Sequence, residues 1–165
     1  MLLSLYVLRG VLLDRRVGLN KIENHKFLTM NNTQKVTVTL RNGRFRLPAA
    51  AKADDLNPKA LLLYAAAQCA GLTVMGILGK DNIVPKTMEI TAEGTLDTEK
   101  LQASSVFRSF RLSYNVECRT LSEQHAVSQA INHAQEYACG MVAMLGYIAP
   151  VSHQISIVST ETAKV

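Results

Sequence analysis

The feature that most constrains the fold is a stretch of nineteen residues without charge, because so long an uncharged and mostly apolar stretch must be covered either by the rest of the protein or by lipid. No residue from Ala60 to Leu78 is charged. Asn57 and Pro58 stand just before this stretch: an Asn side chain caps free N–H groups, and proline fits the first helical position. The sequence therefore predicts one helix that starts at Asn57-Pro58, runs to about Leu78 and stops at Gly79.

The surroundings of this helix follow from its composition. Its length meets the minimum for a membrane span, so a bilayer is one candidate environment. The stretch is rich in small residues, namely Ala65, Ala66, Ala67, Ala70, Gly71 and Gly76. Such a helix gains little from lipid, and it also contains Gln68 and Thr73. Small side chains allow close packing by protein on all sides, which favours a buried central helix over a membrane span.

Alternating patterns predict the strands. Apolar and polar residues alternate on both sides of Asn42-Gly43, which is a strong hairpin signal because this pair accepts the positive φ of a type I′ turn. Residues 87–96 and 106–118 alternate as well and predict half-buried antiparallel strands. Ile155 and Ile157 alternate in a last strand.

A second helical region lies between these strands. Thr120 and Glu123 have the spacing of a capping box. Cys139-Gly140 predicts a break or a new helix start, and Pro150 ends the region. The order is hairpin, buried helix, two strands, broken helix and strand. This order predicts an α+β fold rather than a doubly wound parallel sheet.

The first residues differ from the rest. The apolar stretch from Leu2 to Leu13 is interrupted by Arg9, without the flanks of a signal peptide. We therefore expect residues 1–29 to be an extension outside the core, with the domain at 30–165; a functional anchor is the alternative. The net charge of +5 arises from residues 1–46. No recognition motif accompanies these basic residues, and we expect no nucleic-acid partner.

The three cysteines, Cys69, Cys118 and Cys139, are too few and odd in number for a secreted disulfide framework. The sequence has no CxxC, and its histidines lack metal-ligand spacing, so we expect no zinc and no bound cofactor. Reduced thiols in the cytoplasm are the prediction. Cys118 shares the apolar face of a strand and is predicted to be a core residue.

The segments around the other two cysteines carry a family resemblance. Asn57-Pro58 precedes an apolar run that ends in Gln68-Cys69, and Glu136-Tyr137-Ala138-Cys139 precedes Met144-Leu145. A thiol at a helix N-terminus, as predicted for Cys139, favours the thiolate. Both segments, in this order and with strands between them, resemble the OsmC/Ohr family, the osmotically inducible and organic-hydroperoxide-resistance proteins. The resemblance covers residues 36–159.

The resemblance implies an OsmC-like fold, in which an antiparallel sheet packs with a long central buried helix. It also implies an intertwined homodimer and a thiol-dependent peroxidase. Cys69 would be the residue that attacks the peroxide, and Cys139 would resolve the sulfenic acid to a disulfide. An external dithiol would then reduce the disulfide.

In one respect the chain departs from the family pattern. Well-studied members carry a Glu just after the proline, paired with an early-strand Arg beside the thiolate. Here Lys59 and Ala60 follow Pro58. The candidates for activating Cys69 are therefore Arg41, Arg44 and Arg46, with Lys59 as a further source of positive charge. The alternative is a non-catalytic member that binds a small hydrophobic ligand at the dimer interface.

Overall fold

The computed structural model of the protein describes residues 32–160. The predicted extension, residues 1–29, lies outside the described residues. The elements follow in chain order: β1 (Thr33–Arg41), β2 (Arg44–Arg46), α1 (Pro58–Leu78), β3 (Thr87–Leu96), β4 (Phe107–Cys118), α2 (Leu121–His133), a π-helical turn (Ala134–Ala138), α3 (Gly140–Ile148) and β5 (Val151–Ser159). The fold is α+β, as the order of sequence patterns predicts.

The hairpin prediction is confirmed. β1 and β2 pair antiparallel, with Arg41 opposite Arg44. The two residues between them, Asn42 and Gly43, have φ values of 51° and 71°. Positive φ at both central residues is the requirement of a type I′ turn, and Asn and Gly adopt it at low cost.

The five strands form one sheet in the order β2-β1-β3-β4-β5. The pairs β1–β2, β1–β3 and β3–β4 are antiparallel, but β5 runs parallel to β4. The sheet is therefore mixed, and the expectation that all its strands are antiparallel does not hold for β5. The reason is the connection, because α2 and α3 carry the chain back along the sheet before β5 begins.

Helix α1 starts and ends where the sequence predicts. The Asn57 side chain accepts hydrogen bonds from the N–H groups of Lys59 and Ala60, and Gly79 is the C-cap. Although α1 is long and apolar enough to cross a membrane, it is the core helix that packs across β1, β2 and β3. Its sheet-facing residues are buried, while Leu61 and Leu72 on other faces stay exposed.

Close approach of α1 to the hairpin depends on Gly71. A Cβ atom at this position would lie 2.5 Å from two ring carbons of Phe45. Real Cβ atoms do not approach carbon this closely, so the contact requires glycine. The side chain of Phe45, a residue of β2, is thereby buried against α1.

The helices cover one face of the sheet. The apolar face of β4 is buried as predicted, through Phe110, Leu112, Tyr114, Val116 and Cys118. The opposite face is polar: the hydroxyls of Thr37 and Thr91 lie 2.9 Å apart across β1 and β3. α2 and α3 contact β4 and β5, and both contact α1. The meeting point of α1 and α3 holds the two cysteines of interest.

Candidate active site

Cys69 lies on α1, about three turns after the Asn57 cap. Its side chain is half-buried and packs against the core. One helical turn later, the hydroxyl of Thr73 donates a 2.9 Å hydrogen bond to the Cys69 carbonyl. Residues four apart share a helix face, so Thr73 lies beside Cys69 on the side that faces α3.

Cys139 is the residue between the π-helical turn and α3. Its own N–H closes the π turn by donating to the Ala134 carbonyl at 2.9 Å. Its carbonyl accepts the first hydrogen bond of α3, from Ala143 N–H at 3.1 Å. Cys139 is the N-cap residue of α3 with extended backbone, which matches the predicted helix start. Only 3% of its surface is exposed.

The structure brings these two thiols together. The Cys139 Sγ atom donates a hydrogen bond to the Cys69 Sγ atom at 3.6 Å. Both cysteines are free thiols. A disulfide has a sulfur separation of about 2.05 Å, so the two sulfur atoms would have to move closer together, and an oxidant would have to remove two electrons and two protons, before they bond. Seventy residues separate the two along the chain, and the contact results from the packing of α3 on α1.

Burial is the main influence on the Cys139 thiol and raises its pKa. The neighbouring Cys69 also raises the pKa of Cys139, through the hydrogen bond and through its charge. Two donors act in the opposite direction: the backbone N–H of Val142 and the Thr73 hydroxyl lower this pKa. The Cys139 side chain forms no capping hydrogen bond with α3, so the influence of Val142 is that of a nearby N–H group rather than a full cap.

A buried phenol lies near the two sulfurs. Tyr114 on β4 is fully buried, and its hydroxyl accepts a hydrogen bond from Gln135 in the π-helical turn. Burial raises the pKa of Tyr114 above its ordinary value, and the charges of Cys139 and Cys69 raise it further. Tyr114 therefore stays neutral, and its bond to Gln135 fastens the turn before Cys139 to the sheet.

The four candidate cations do not reach the Cys69 sulfur within the described chain. Lys59 directs its ammonium group to the carbonyls of Gln102 and Ala103, at 3.0 and 3.3 Å. Lys59 therefore does not place its charge beside the Cys69 sulfur, as was expected of it. The loop after β3 offers its ammonium group two carbonyl acceptors near the start of α1 instead.

The hairpin arginines, Arg41, Arg44 and Arg46, are exposed on β1 and β2. Arg44 and Arg46 line a cleft of about 390 Å³ between the hairpin and α1, with Gln68 on its wall. Gln68 directly precedes Cys69, and its amide group donates to the Phe45 carbonyl at 2.9 Å. Asp54 and Asp55 are the carboxylates that lie shortly before α1 in sequence. Among residues 32–160, neither of them forms an ion pair with these arginines.

Three residues of the site were not among the candidates predicted from the sequence: Thr73, Tyr114 and Gln135. The spacing of Thr73 from Cys69 is a signal that could have identified it. Tyr114 lies on the predicted apolar face of β4, and its role as a hydrogen-bond acceptor is visible only once the π-helical turn is placed over the sheet. No pattern in the sequence indicates that turn.

Cys118 lies in the core at the end of β4 and is fully buried. Burial raises the pKa of its thiol, and the Glu123 carboxylate raises it further. Over residues 32–160, no three of the His, Cys, Asp and Glu side chains are grouped as metal ligands would be.

Comparison with known proteins bears on the family and on the fold. The sequence pattern of the family described as OsmC-like protein matches residues 51–154, well over half of the chain. Among curated proteins, none matches the sequence significantly.

Several solved structures share the fold. A hypothetical protein from Aquifex aeolicus VF5 has a TM-score of 0.56 at 20% identity, with 78% of this chain and 98% of that chain covered. An OsmC-like protein from Mycoplasma pneumoniae has a TM-score of 0.51 at 13% identity, covering 76% and 96%. An OsmC-like hydroperoxide resistance protein from Jannaschia sp. CCS1 has a TM-score of 0.50 at 14% identity, covering 70% and 87%. At these identities, the similarity to the solved structures shows the fold alone. The family is shown by the sequence match over residues 51–154: the chain belongs to the OsmC-like proteins.

Proposed function

We propose that the protein is a thiol-dependent peroxidase that reduces organic or hydrogen peroxides through Cys69 and Cys139. The observation that carries the proposal is the 3.6 Å separation of the two sulfur atoms. Two free thiols at this distance, one half-buried and one at a helix start, are equipped for reversible disulfide chemistry. One structural relative, from Jannaschia sp. CCS1, is an OsmC-like hydroperoxide resistance protein, which supports the choice of substrate class.

The reaction has three steps. The Cys69 thiolate attacks the terminal oxygen of the hydroperoxide, the O–O bond breaks, and Cys69 becomes a sulfenic acid. The departing alkoxide takes up from solvent the proton that Cys69 had released, and it leaves as the alcohol; with hydrogen peroxide the leaving group is water. The Cys139 sulfur then bonds to the Cys69 sulfur, and the sulfenic oxygen leaves as water. An external dithiol finally reduces the disulfide to two thiols and is itself oxidised to a disulfide.

Activation of Cys69 by a cation is part of the proposal. The thiolate is the reactive form, and an arginine keeps its charge when partly buried. Arg44 and Arg46, which line the cleft beside Gln68, are the best-placed candidates, and Arg41 follows them on β1. The cation comes from the same chain or from a partner subunit, since the exposed faces of α1 and α3 would meet a partner.

We further propose that the protein is a cytoplasmic homodimer without a bound cofactor, nucleic acid or membrane partner. The apolar side chains left exposed on α3, Met144, Tyr147 and Ile148, need a cover in water. Leu72 on α1 is also 55% exposed. A second copy of the chain would bury these side chains.

The test is consumption of cumene hydroperoxide and of hydrogen peroxide in the presence of excess dithiothreitol. We expect Cys69→Ser to abolish consumption, because the nucleophile is lost. Cys139→Ser should accumulate a sulfenic acid on Cys69, detectable with dimedone when the reductant is withheld. Cys118→Ala is the matched control and should consume peroxide like the wild type. Equal consumption by the wild type and by Cys69→Ser would contradict the proposal.

A second candidate function is binding of a small hydrophobic ligand at the dimer interface without catalysis. It is favoured by the absence of a carboxylate at Lys59 and Ala60, where family members hold an arginine in place, and by the position of Lys59 against the loop carbonyls. Under this alternative, the wild type would consume no peroxide, and an apolar fluorescent probe would bind the dimer with a stoichiometry set by the interface.

A further inference from the structure

The contact between the thiols has a direction, with the Cys139 sulfur as donor and the Cys69 sulfur as acceptor, 3.6 Å apart. A donated hydrogen bond favours a charged acceptor over a neutral one. We propose that Cys139 acts before any disulfide forms: its S–H group donates a hydrogen bond to the Cys69 sulfur and stabilises the Cys69 thiolate. The catalytic consequence rests on the proposed peroxidase function, whereas the hydrogen bond does not.

The burial of the two residues decides which one keeps its proton. Cys139 is 3% exposed, whereas Cys69 is half-buried. Burial disfavours a charge, and it raises the pKa of Cys139. Two thiols this close do not both ionise readily, because the second negative charge would meet the first. Cys139, the more buried of the two, therefore keeps its proton and remains the donor.

Within residues 32–160 the Cys69 sulfur has no cation as a hydrogen-bond partner. The Lys59 ammonium is bonded to the carbonyls of Gln102 and Ala103. In a chain without a carboxylate to hold an arginine at this place, a neighbouring thiol is a source of stabilisation that the structure already provides.

Thr73 links the two cysteines. Its hydroxyl donates to the Cys69 carbonyl at 2.9 Å, and the Thr73 side chain also lowers the pKa of the Cys139 thiol. The hydroxyl has one proton, so it would rotate away from the carbonyl to donate to the Cys139 sulfur. The Val142 N–H has the same effect on Cys139. These two groups would stabilise negative charge on Cys139 at the moment when it attacks. Thr73 is thus a positioning residue for the second step.

The proton of Cys139 then has a defined destination. After the first step, the oxygen taken from the peroxide is bound to the Cys69 sulfur, the atom toward which the Cys139 S–H group is directed. As the S–S bond forms, the S–O bond breaks, and the departing hydroxide takes the Cys139 proton to leave as water. One proton therefore stabilises the nucleophile first and completes the leaving group later.

The test measures alkylation of Cys69 by iodoacetamide as a function of pH, quantified on the Cys69 peptide by mass spectrometry. Cys139→Ser keeps a hydrogen-bond donor, and Cys139→Ala removes it; neither variant can form the disulfide. We expect Cys139→Ser to retain a profile close to that of the wild type. We expect Cys139→Ala to react roughly ten-fold more slowly at pH 7, as loss of one charge-assisted hydrogen bond predicts, with its midpoint at higher pH.

Coincident profiles for the wild type and Cys139→Ala would overturn the inference, as would an equal shift in both variants. Thermal unfolding of both variants checks that the fold is intact. Thr73→Val supplies a variant outside the pair: disulfide formation after one equivalent of peroxide should slow, and Thr73→Ser should restore it. Since alkylation requires no peroxide, a protein inert to peroxide that still shows the Ser–Ala difference would retain the inference and lose the peroxidase function.

Discussion

At the scale of single residues, Gly71 shows how one missing methyl group determines the packing of the hairpin on α1. Gly71→Ala would place a Cβ atom 2.5 Å from the Phe45 ring. We expect this variant to lose about 1–3 kcal/mol of unfolding free energy through overpacking. Gly79→Ala is the matched control, since no atom lies within 4 Å of its Cβ position. Urea denaturation should leave Gly79→Ala at or above the stability of the wild type, and a Gly71→Ala variant as stable as this control would contradict the account.

The raised pKa values of one buried phenol and two buried thiols predict that the protein loses stability at alkaline pH. Burial raises the pKa of Tyr114 from 10.0, and it raises the pKa of Cys118 and Cys139 from 9.0. Between the unfolded and the folded pKa, the folded state binds more protons, so the free energy of unfolding falls as pH rises above about 9. Urea denaturation under reducing conditions at several pH values measures this slope.

Tyr114→Phe is the variant that isolates one of these groups. Above pH 10 its free energy of unfolding should fall less steeply with pH than that of the wild type, because phenylalanine has no hydroxyl that could ionise in the unfolded state. An unchanged slope would show that Tyr114 is not protected from ionisation in the folded state. At pH 7 the variant should lose about 1 kcal/mol, because the Gln135 amide loses its acceptor.

At this scale, the sequence predicts the two cysteines of the site but not the contacts of the residues around them. Cys69 and Cys139 could be singled out, because their flanking segments carry a pattern. The position of Lys59 could not be predicted, because it depends on carbonyls contributed from more than forty residues away, at Gln102 and Ala103. Tyr114 was recognised as apolar and buried, but its hydroxyl acquires a partner only through tertiary packing.

At the scale of elements, the start of α1 depends on Asn57. Its side-chain oxygen accepts from two N–H groups at 3.0 Å each, and its amide nitrogen donates to Gln34 on β1. We expect Asn57→Ala to cost about 1–2 kcal/mol of unfolding free energy. Asn57→Asp keeps the acceptor and loses the Gln34 bond, so it should cost less. Chemical denaturation checks the order, and an Ala variant as stable as the Asp variant would show that the cap is dispensable.

Local signals predicted most of the elements. Asn42-Gly43, Asn57-Pro58 and Thr120 mark the turn and helix starts that the structure contains. The parallel pairing of β5 was not predicted, because strand direction depends on where α2 and α3 return the chain. Near Thr120, the Glu123 carboxylate accepts from Arg119 N–H at 2.8 Å rather than from the cap residue itself, which is a variation that spacing alone does not reveal.

At the scale of the whole molecule, the proposed dimer predicts a concentration-dependent mass. Tyr147 on α3 is 92% exposed in the single chain, and a partner would cover it. We expect Tyr147→Glu to shift the protein toward monomer in sedimentation velocity, because a carboxylate in an apolar interface costs solvation energy. Val84→Glu, at an exposed position after α1, is the matched control. A Tyr147→Glu variant with the mass of the wild type would exclude α3 from the interface.

The π-helical turn before Cys139 has a consequence for how this site could have arisen. A π turn contains one residue more than the α-helical turn it replaces, and each residue of an α-helix advances the side chain by about 100° around the axis. Without the extra residue, the chain would leave α2 at a different rotation about the helix axis, and the residue that follows the turn would point in another direction. The gain or loss of one residue in this turn would therefore decide whether the thiol of Cys139 faces that of Cys69.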